Sequence, residues 1–290
     1  MVMNCPICGD RDSHAVWEQA GMRIEECKNC GVFYTAERPA EAALMQLYKG
    51  EALLGDRPDP QPKGEDLFPP WKMKEHEELL DEIVRFGGST GSLLDVGCFS
   101  GMFLRNARER GFEIAGIEPN EDAFMHVRSL LGCEVVNGSL ASAHFLPNHF
   151  SVVSFLDVIE HVEDPMADLR AALRIMRPGG VLVLVTPNAH GLLQRVIKTK
   201  RNIMRQAWCP IDDVPWHLWG FTRESLSLCV EKAGFIVNKI SWLEPSPLST
   251  NLGAGTSAVK RAFLVAVAKA SKWLGMSDRM VLFAKKPQSA

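Results

Sequence analysis

The sequence predicts an α/β fold, in which helices cover both faces of a parallel sheet and a small cysteine-rich segment precedes it. Three observations predict this fold. Apolar runs of strand length alternate with amphipathic runs of helix length from the middle of the chain onwards. One apolar run, residues 92–96, is followed by two glycines, which indicates a sharp strand-to-helix turn. Two Cys-x-x-Cys pairs lie near the N-terminus.

The composition predicts a globular protein with one large and one small domain. The chain has 290 residues, of which 46% are hydrophobic, enough for a sizeable core. Its formal net charge of −3 argues against general attraction to nucleic acid. No apolar run reaches the roughly 20 residues that a bilayer span needs, and the N-terminus does not resemble a signal peptide. We therefore expect a cytoplasmic protein.

The four N-terminal cysteines have the spacing of a zinc ribbon: Cys5, Cys8, Cys27 and Cys30. A glycine follows each pair and permits the left-handed turn that points backbone N–H groups at the thiolates. Two disulfides or free thiols are the alternatives, and a reducing compartment disfavours the disulfides. So small a segment cannot build its own core. We therefore predict that structural Zn²⁺ supplies its folding free energy and that removing the zinc melts the segment.

The predicted ribbon lacks the basic face of a nucleic-acid-binding ribbon. Acids outnumber bases between its first and last cysteine, so we expect a structural or substrate-capping role. The predicted domains are the zinc ribbon over 1–38, a helix and proline-rich linker or lid over 39–70, and the main domain over 71–290 with an insertion at 190–216.

The remaining elements follow from periodicity and from turn residues. An amphipathic helix over 71–86 leads into the main domain, and a short helix over 41–48 precedes the proline-rich segment 50–70. The predicted strands are 92–96, 113–118, 133–136, 150–156, 181–186, 235–243 and 279–285. The predicted helices are 100–110, 120–131, 164–176, 222–233 and 256–274. Such alternation predicts a parallel sheet that binds its ligand at the carboxyl ends of the strands.

The turn after strand 92–96 has the charge of a cation-binding site. Gly97 suits a backbone that passes close to a ligand, and Gly101 suits a helix that packs tightly on its strand. A dinucleotide fold would place a pyrophosphate here, and Asp95 would repel it. The carboxylate instead favours a ligand with an ammonium and a sulfonium, and S-adenosylmethionine (SAM) fits. Glu118 ends the next strand, where an acid can accept both ribose hydroxyls.

Over residues 70–286 the sequence resembles the class I SAM-dependent methyltransferases. The matching motifs are Leu94-Asp-Val-Gly-Cys-Phe-Ser-Gly101, Gly116-Ile-Glu-Pro-Asn120, Phe155-Leu-Asp-Val-Ile-Glu-His-Val-Glu-Asp-Pro165, Arg177-Pro-Gly-Gly180 and His217-Leu-Trp-Gly-Phe-Thr222. The resemblance implies a Rossmann-like, seven-stranded, mostly parallel sheet whose last strand is antiparallel. The chain departs from the family at Phe99, where a glycine is usual, and the phenylalanine would narrow or reshape the turn.

The resemblance also implies a set of cofactor-binding residues. In relatives, the residues at Ser139 and Leu140 bracket the adenine, although the acid usual there is absent. Leu156 and Asp157 end strand 150–156 beside the cofactor. The full set is Asp95, Gly97, Cys98, Phe99, Gly101, Glu118, Ser139, Leu140, Leu156 and Asp157.

The candidate catalytic residues are His161 and His217. A base is needed only when the methyl acceptor is an alcohol or phenol, whose proton must leave. In the similar ubiquinone-pathway enzymes, carboxylate-x-x-Glu-His can hold a divalent metal, as Asp157, Glu160 and His161 would here. Metal binding, an acid, base or acceptor-contact role, and a structural role all stay open for His161. His217 lies where relatives carry a histidine at the rim of the acceptor pocket, and a general-base and a packing role stay open.

The insertion is basic and rich in tryptophan. Residues 191–211 contain no acid, and a solvated helix face competes with contact to a phosphate-bearing or lipid-linked acceptor or a membrane surface. The bases are Arg195, Lys198, Lys200, Arg201 and Arg205. Core packing competes with an aromatic wall for a planar acceptor at Trp208, Trp216 and Trp219.

These observations predict a SAM-dependent methyltransferase with a zinc ribbon. Its acceptor is a small molecule, such as a sugar, a glycolipid or the oxygen of a secondary metabolite. One alternative is a nucleic-acid or protein methyltransferase that uses the ribbon for recognition, and another is a SAM-binding scaffold without catalysis. The sequence determines neither the acceptor nor the oligomeric state.

Overall fold

The structure is a computed structural model, and it describes residues 4–19, 22–37, 70–87, 91–205, 207–211, 214, 216–243, 266–267 and 270–288. The helix predicted over 41–48 lies outside the described residues, as do almost all of the proline-rich segment and most of the helix predicted over 256–274.

The chain divides into two compact units. The first comprises Met1–Glu37, Asp157–Met166 and Leu184–Ala284, and the second comprises Arg38–Leu156, Ala167–Val183 and Lys285–Ala290. The domain boundaries that the sequence suggested at residues 38 and 70 stay predictions.

The N-terminal segment forms a four-stranded antiparallel sheet within the first unit. The strands lie in the order β1 (Ser13–Gln19), β2 (Met22–Cys27), β3 (Phe33–Thr35) and β9 (Trp219–Gly220). Each neighbouring pair is antiparallel. The fourth strand comes from a distant part of the chain, so the ribbon sheet is completed by residues outside the ribbon.

The large sheet has seven strands, as the resemblance implied. Their order is β10 (Ile236–Trp242), β11 (Arg279–Lys285), β8 (Met176–Pro187), β7 (Phe150–Leu156), β4 (Ser92–Val96), β5 (Glu113–Glu118) and β6 (Glu134–Asn137). The β7–β4, β4–β5 and β5–β6 pairs are parallel. The predicted α/β class with a mostly parallel sheet is therefore confirmed.

Strand β8 begins five residues before the predicted start of 181, so that prediction was wrong. Gly179 has a φ of 75°, and its N–H donates to the Lys286 carbonyl at 3.0 Å. The Lys286 N–H donates in turn to the Gly180 carbonyl at 3.0 Å, so two residues of β8 oppose one. This is a G1 bulge in an antiparallel pair. The bulge lets the strand continue through an Arg-Pro-Gly-Gly sequence that usually indicates a turn.

Six helices can be bounded within the described residues. They are α1 (Pro70–Arg85), α2 (Met102–Glu109), α3 (Glu121–Leu131), α4 (Pro165–Ile175), α5 (Leu192–Ile203) and α6 (Arg223–Lys232). Asn120 caps α3 by accepting the Ala123 N–H at 3.0 Å, and Thr222 and Ser225 form a capping box at the start of α6. In the part of the chain that is described, no helix is both long and apolar enough to cross a bilayer.

The centre of the sheet is fully buried. Leu93 and Leu94 of β4 and Val152 and Val153 of β7 are each 0% exposed. Apolar side chains on both faces of a strand are typical of a parallel sheet covered on both sides. This frame fixes the carboxyl ends of β4 and β5, where the acids of the predicted cofactor site lie.

Candidate functional site

The turn between β4 and α2 contains three residues with left-handed backbones. The φ angles of Gly97, Phe99 and Gly101 are 72°, 42° and 72°. The N–H groups of Gly97 and Cys98 both donate to the Ile117 carbonyl, at 2.8 and 3.0 Å. The turn is therefore held against strand β5 by two hydrogen bonds to one acceptor.

The Glu118 carboxylate organises the backbone around this turn. One oxygen accepts the Phe99 N–H at 2.8 Å and the other accepts the Asn120 N–H at 2.8 Å. Burial raises the pKa of Glu118, and these two N–H donors lower it in part. Each carboxylate oxygen offers a second lone pair, so the side chain can still accept hydrogen bonds from two ligand hydroxyls.

Asp95 is a buried carboxyl group with one neutral donor. It is 4% exposed, and its Oδ1 accepts the Ser154 hydroxyl at 2.7 Å. Burial and, to a lesser degree, the Glu118 charge raise the pKa of Asp95 to about 7, although the Ser154 hydroxyl and the Lys72 ammonium oppose this shift in part. Because burial disfavours the carboxylate, a cationic ligand that restores a counter-charge would bind here favourably.

Gly101 and Cys98 are placed by close packing. A Cβ on Gly101 would lie 3.0 Å from Val127 and 3.1 Å from Leu131, so the glycine lets helix α3 approach. From the sequence, the close approach at Gly101 was predicted to be to the preceding strand. Cys98 is 5% exposed, and a Cβ on Gly116 would lie 2.7 Å from its sulfur. The Cys98 side chain therefore fills the space above the backbone of β5.

The three remaining predicted contacts of the second unit differ in exposure. Ser139 is exposed and exchanges hydrogen bonds with Ser142, whose hydroxyl donates to the Ser139 carbonyl at 2.8 Å. Leu140 is 3% exposed, whereas Leu156 is half-buried. The cofactor contacts assigned to these residues stay predictions.

Asp157 binds an arginine that the sequence analysis did not identify. Nη2 of Arg279 donates to the two Asp157 carboxylate oxygens at 2.9 and 2.6 Å. The φ of Asp157 is 58°, and its carboxylate lies where β11 begins. The two residues are far apart in sequence, and no spacing rule links them. The proposed cofactor contact of Asp157 stays a prediction, and its carboxylate has a second, structural role in the first unit.

Both candidate catalytic histidines belong to one cluster with Glu160 in the first unit. One ligand atom from each of Glu160, His161 and His217 lies within 4.8 Å of the others. The His161 and His217 rings pack edge to face with centroids 4.6 Å apart. The sequence pattern had grouped His161 with Asp157 and Glu160 instead. The fold replaces Asp157 in that group by His217, from a segment 56 positions after His161.

The tautomer of a neutral His161 is determined by its hydrogen bond. Its Nδ1 lies 2.9 Å from the Trp216 carbonyl oxygen, which can only accept, so Nδ1 carries the proton. In the neutral ring, Nε2 then carries the lone pair. A lone pair of fixed direction is what a general base or a metal ligand requires.

Glu160 is buried with only part of its carboxyl group satisfied. It is 1% exposed, and one oxygen accepts the Thr186 hydroxyl at 3.0 Å. Its other oxygen, Oε1, is buried and has no hydrogen-bond partner among the described residues. Burial and the nearby Asp157 charge raise the pKa of Glu160 to about 8. A polar ligand that forms a hydrogen bond with Oε1 would therefore satisfy an orphaned polar atom.

The four N-terminal cysteines converge as the spacing predicted. The Cys5 and Cys30 sulfurs are 3.7 Å apart, and the Cys8 and Cys27 sulfurs are 3.5 Å apart. All four sulfurs lie within 4.8 Å of one another. Tetrahedral zinc with Zn–S bonds of about 2.3 Å separates its sulfurs by about 3.8 Å, so the cluster fits the ion. The hydrogen bond between the two thiols lowers the pKa of Cys5 to about 5 and raises the pKa of Cys30.

The insertion forms helix α5, and the tryptophans in it and just after it are partly core. Trp219 and Trp208 are 2% and 8% exposed, whereas Trp216 is half-buried. The Lys198 ammonium lies 4.4 Å from the centroid of the Trp208 ring, so one base of the insertion packs on the core. An open groove of 420 Å³ lies along α5, lined by Arg195, Val196, Thr199, Lys200, Ile203 and Met204.

Comparison with known proteins gives a family match and several similar proteins. The methyltransferase-domain family matches residues 71–239. The ubiquinone biosynthesis O-methyltransferase of Pseudomonas entomophila is 34% identical over 115 residues, which cover 38% of this chain and 49% of that protein. The chain thus spans about half the length of the curated relatives it matches.

Solved structures share the fold at low sequence identity. A SAM-dependent methyltransferase from Archaeoglobus fulgidus has a TM-score of 0.52 at 21% identity, covering 74% of this chain and 94% of that one. Phosphoethanolamine N-methyltransferase 2 of Haemonchus contortus, solved in complex with SAM, has a TM-score of 0.50 at 19% identity, covering 74% of this chain and 53% of that one. At such identities the likeness establishes the fold alone.

Proposed function

The chain belongs to the methyltransferase-domain family, and from that premise we propose that it transfers a methyl group from SAM to a small-molecule acceptor. The observation that carries this proposal is the pair of buried acids at the carboxyl ends of β4 and β5. Asp95 and Glu118 flank a glycine turn in the second unit, and the family match covers both of them.

Each acid has a separate role in this proposal. Asp95 supplies negative charge for the cationic methionine part of SAM, which offsets the cost of burying its carboxylate. Glu118 accepts hydrogen bonds from the two ribose hydroxyls, while Phe99 and Asn120 hold its orientation from the other side. The full set of cofactor contacts predicted from the sequence belongs to this same proposal.

When bound, SAM supplies a methyl group that is already activated for displacement by the neighbouring sulfonium. The protein must therefore chiefly hold the acceptor atom in line and remove any proton that the acceptor loses. We assign proton removal to His161, since the neutral tautomer leaves a lone pair on Nε2. His217 is proposed to contact the acceptor, and Glu160 is proposed to form a hydrogen bond with the acceptor through Oε1.

An acceptor with a hydroxyl group suits these residues best. An amine acceptor needs no base at neutral pH if it arrives unprotonated, whereas a hydroxyl must lose its proton during transfer. The Pseudomonas entomophila relative is named as an O-methyltransferase. We therefore propose a sugar, a glycolipid or a hydroxylated secondary metabolite as the acceptor. Among these molecules, those that carry a phosphate group would be favoured by the basic side chains of α5.

Structural zinc in the cysteine cluster completes the proposal. Cys5, Cys8, Cys27 and Cys30 would hold one ion, and four thiolates without a cation would repel one another. The reducing cytoplasm suits the four thiols and is the compartment we propose.

Turnover with methyl-labelled SAM tests the proposal. The purified protein is incubated with a panel of sugars, sugar phosphates, phenols and catechols, and release of S-adenosylhomocysteine is measured. We expect acceptor-dependent release that falls by about a hundredfold in His161→Ala. The exposed His126→Ala variant serves as the matched control and should keep full activity. Release with nucleic acid or protein alone would favour the alternative substrate class, and SAM binding without release would favour a scaffold.

A further inference from the structure

The ribbon, which carries the four clustered cysteines, is joined to the histidine cluster through strand β9. Phe33 and Tyr34 of β3 pair with Gly220 and Trp219 of β9 in an antiparallel ladder. The Thr35 N–H extends this ladder by donating to the Leu218 carbonyl at 3.0 Å. All of these residues lie in the first unit.

The other side of the same segment holds the backbone at Glu160. The N–H groups of Leu218 and Trp219 both donate to the Glu160 carbonyl, at 2.8 and 3.1 Å. The Trp219 indole N–H donates to the Val162 carbonyl at 2.8 Å. Residues 160 and 162 are therefore hydrogen-bonded to the segment that contains β9, and β9 pairs with strand β3 of the ribbon.

The two histidines are placed by this segment at close range. His217 is the residue immediately before Leu218, and the carbonyl of Trp216, which precedes it, accepts the Nδ1 proton of His161. The segment 216–219 thus carries one histidine and sets the tautomer of the other. A displacement of segment 216–219 would therefore move His217 and the hydrogen-bond acceptor of His161 together.

The cysteine cluster fixes the strand that pairs with β9. The Gly31 N–H donates to the Cys27 carbonyl at 2.8 Å, and the Cys27 N–H donates to the Val32 carbonyl at 3.0 Å. These bonds lead directly from the second knuckle into β3. Phe33 is 0% exposed and packs in a cluster with Ile24, Ala189, Trp208 and Ile211, so β3 is held by the cysteine knuckle at one end and by core packing along its length.

We infer that the ribbon is a positioning element for His161 and His217, with zinc acting on the histidines through the β3–β9 pair and the Leu218 and Trp219 backbone. The inference rests on the proposed zinc site and on the proposed role of the two histidines. In this arrangement zinc loss leaves the Asp95 and Glu118 site of the second unit intact and disorders the histidine cluster.

Histidine-selective ¹⁵N NMR of the full chain tests the inference without SAM or acceptor. The zinc-loaded protein is compared with the same protein after zinc chelation, and metal content is measured on each sample. We expect the His161 Nδ1 proton signal to be lost and the His217 signals to shift on chelation. His126 and His149, which lie in the second unit, serve as internal references and should not move. Unchanged His161 and His217 signals in the zinc-free protein would overturn the inference.

The Gly220→Ala variant separates positioning of the histidines from general unfolding. It tests the inference even if chelation alters the reference signals of His126 and His149 as well as those of His161 and His217. Its Cβ would lie 3.1 Å from Phe33 of β3 and 3.0 Å from Ile211, so these neighbours must shift by a few tenths of an ångström while all four cysteines remain. Lys232→Met is the control, because it removes a 3.0 Å hydrogen bond to the Cys8 carbonyl without touching β9. Shifts at His161 and His217 in zinc-loaded Gly220→Ala, and none in Lys232→Met, support the inference. Unshifted His161 and His217 signals in Gly220→Ala overturn it.

The SAM affinity of the same samples distinguishes this inference from the proposed function. We expect chelation to change the SAM dissociation constant by less than about threefold, because the acids of the second unit keep their own hydrogen bonds. A zinc-loaded protein that bound no SAM would refute the proposed function, whereas the histidine signals would still decide the role of the ribbon.

Discussion

The Phe99 backbone N–H donates a 2.8 Å hydrogen bond to the Glu118 carboxylate from a left-handed conformation with a φ of 42°. Few residues with a Cβ adopt this conformation, and its strain costs about 1–3 kcal/mol. The Phe99 side chain is 42% exposed, so burial of the ring offsets little of that cost. The strain is therefore maintained by the hydrogen bonds of the turn, at the predicted cofactor site.

Replacing Phe99 by glycine should stabilise the protein. Glycine adopts the left-handed conformation freely, although it also gains entropy in the unfolded chain, so we expect a net increase of about 0.5–1 kcal/mol in the free energy of unfolding. Urea denaturation measures this change. Phe99→Ala is the matched control, since it removes the ring and keeps the strained Cβ. Equal stability of the two variants would show that the Cβ is not the source of strain.

SAM affinity should rise with pH as Asp95 ionises. Burial raises the pKa of this carboxyl to about 7, so it is mostly neutral at pH 6 and mostly charged at pH 8. A cationic ligand favours the charged form, so binding should strengthen across that interval and release a proton near pH 6.5. Calorimetry in buffers of different ionisation enthalpy measures both effects.

Asp95→Asn separates the Asp95 titration from that of SAM itself. The amide oxygen can still accept the Ser154 hydroxyl but carries no charge, so we expect affinity at pH 8 to fall by about tenfold. The change in affinity between pH 6 and pH 8 should be smaller than in the wild type. The same pH dependence in Asp95→Asn as in the wild type would assign it to another group.

Removing the Asp157 charge should destabilise the fold. Asn tolerates a left-handed φ, so Asp157→Asn keeps the backbone and removes the Asp157 charge from the buried Arg279 guanidinium. The Asp157 side chain is 34% exposed, so we expect a loss of about 1–3 kcal/mol, below the cost of breaking a fully buried pair. Asp81→Asn, which breaks a largely exposed pair with Arg110, should cost under about 0.5 kcal/mol. Equal costs in the two variants would contradict the structural role assigned to Asp157.

Zinc should be present and should depend on the cluster cysteines. We expect about one zinc per chain in the wild type and little in Cys27→Ser, with a lower melting temperature for the variant. Elemental analysis and thermal denaturation measure the two effects. Cys133→Ser, outside the cluster, is the control and should keep its zinc. Full zinc content in Cys27→Ser would remove that residue from the site.

Periodicity in the sequence predicted most of the sheet. Strands 92–96, 113–118, 150–156 and 279–285 begin and end where they were expected, because continuous apolar runs bounded by polar residues and glycines are specific to buried strands. The start of β8 was missed because a bulge at Gly179 lets the chain pass through proline and glycine without leaving the sheet.

Long-range pairings in the site had no sequence signal. Strand β9 has two residues, too few for any periodicity, and it is defined only by its pairing with β3. The Arg279 partner of Asp157 and the approach of His217 to His161 depend on how distant segments pack. The cysteine cluster, in contrast, could be predicted, because its local knuckle spacing already encodes the geometry of the ligands.

Calorimetric titration of the zinc-loaded protein with SAM tests the central claim most directly. The wild type, Glu118→Gln and the exposed control Glu121→Gln are compared after circular dichroism has shown that each is folded. We predict saturable binding at one site, weakened at least about tenfold in Glu118→Gln because the amide has only one acceptor oxygen, and unchanged in Glu121→Gln. A folded, zinc-loaded wild type that binds no SAM would contradict the claim.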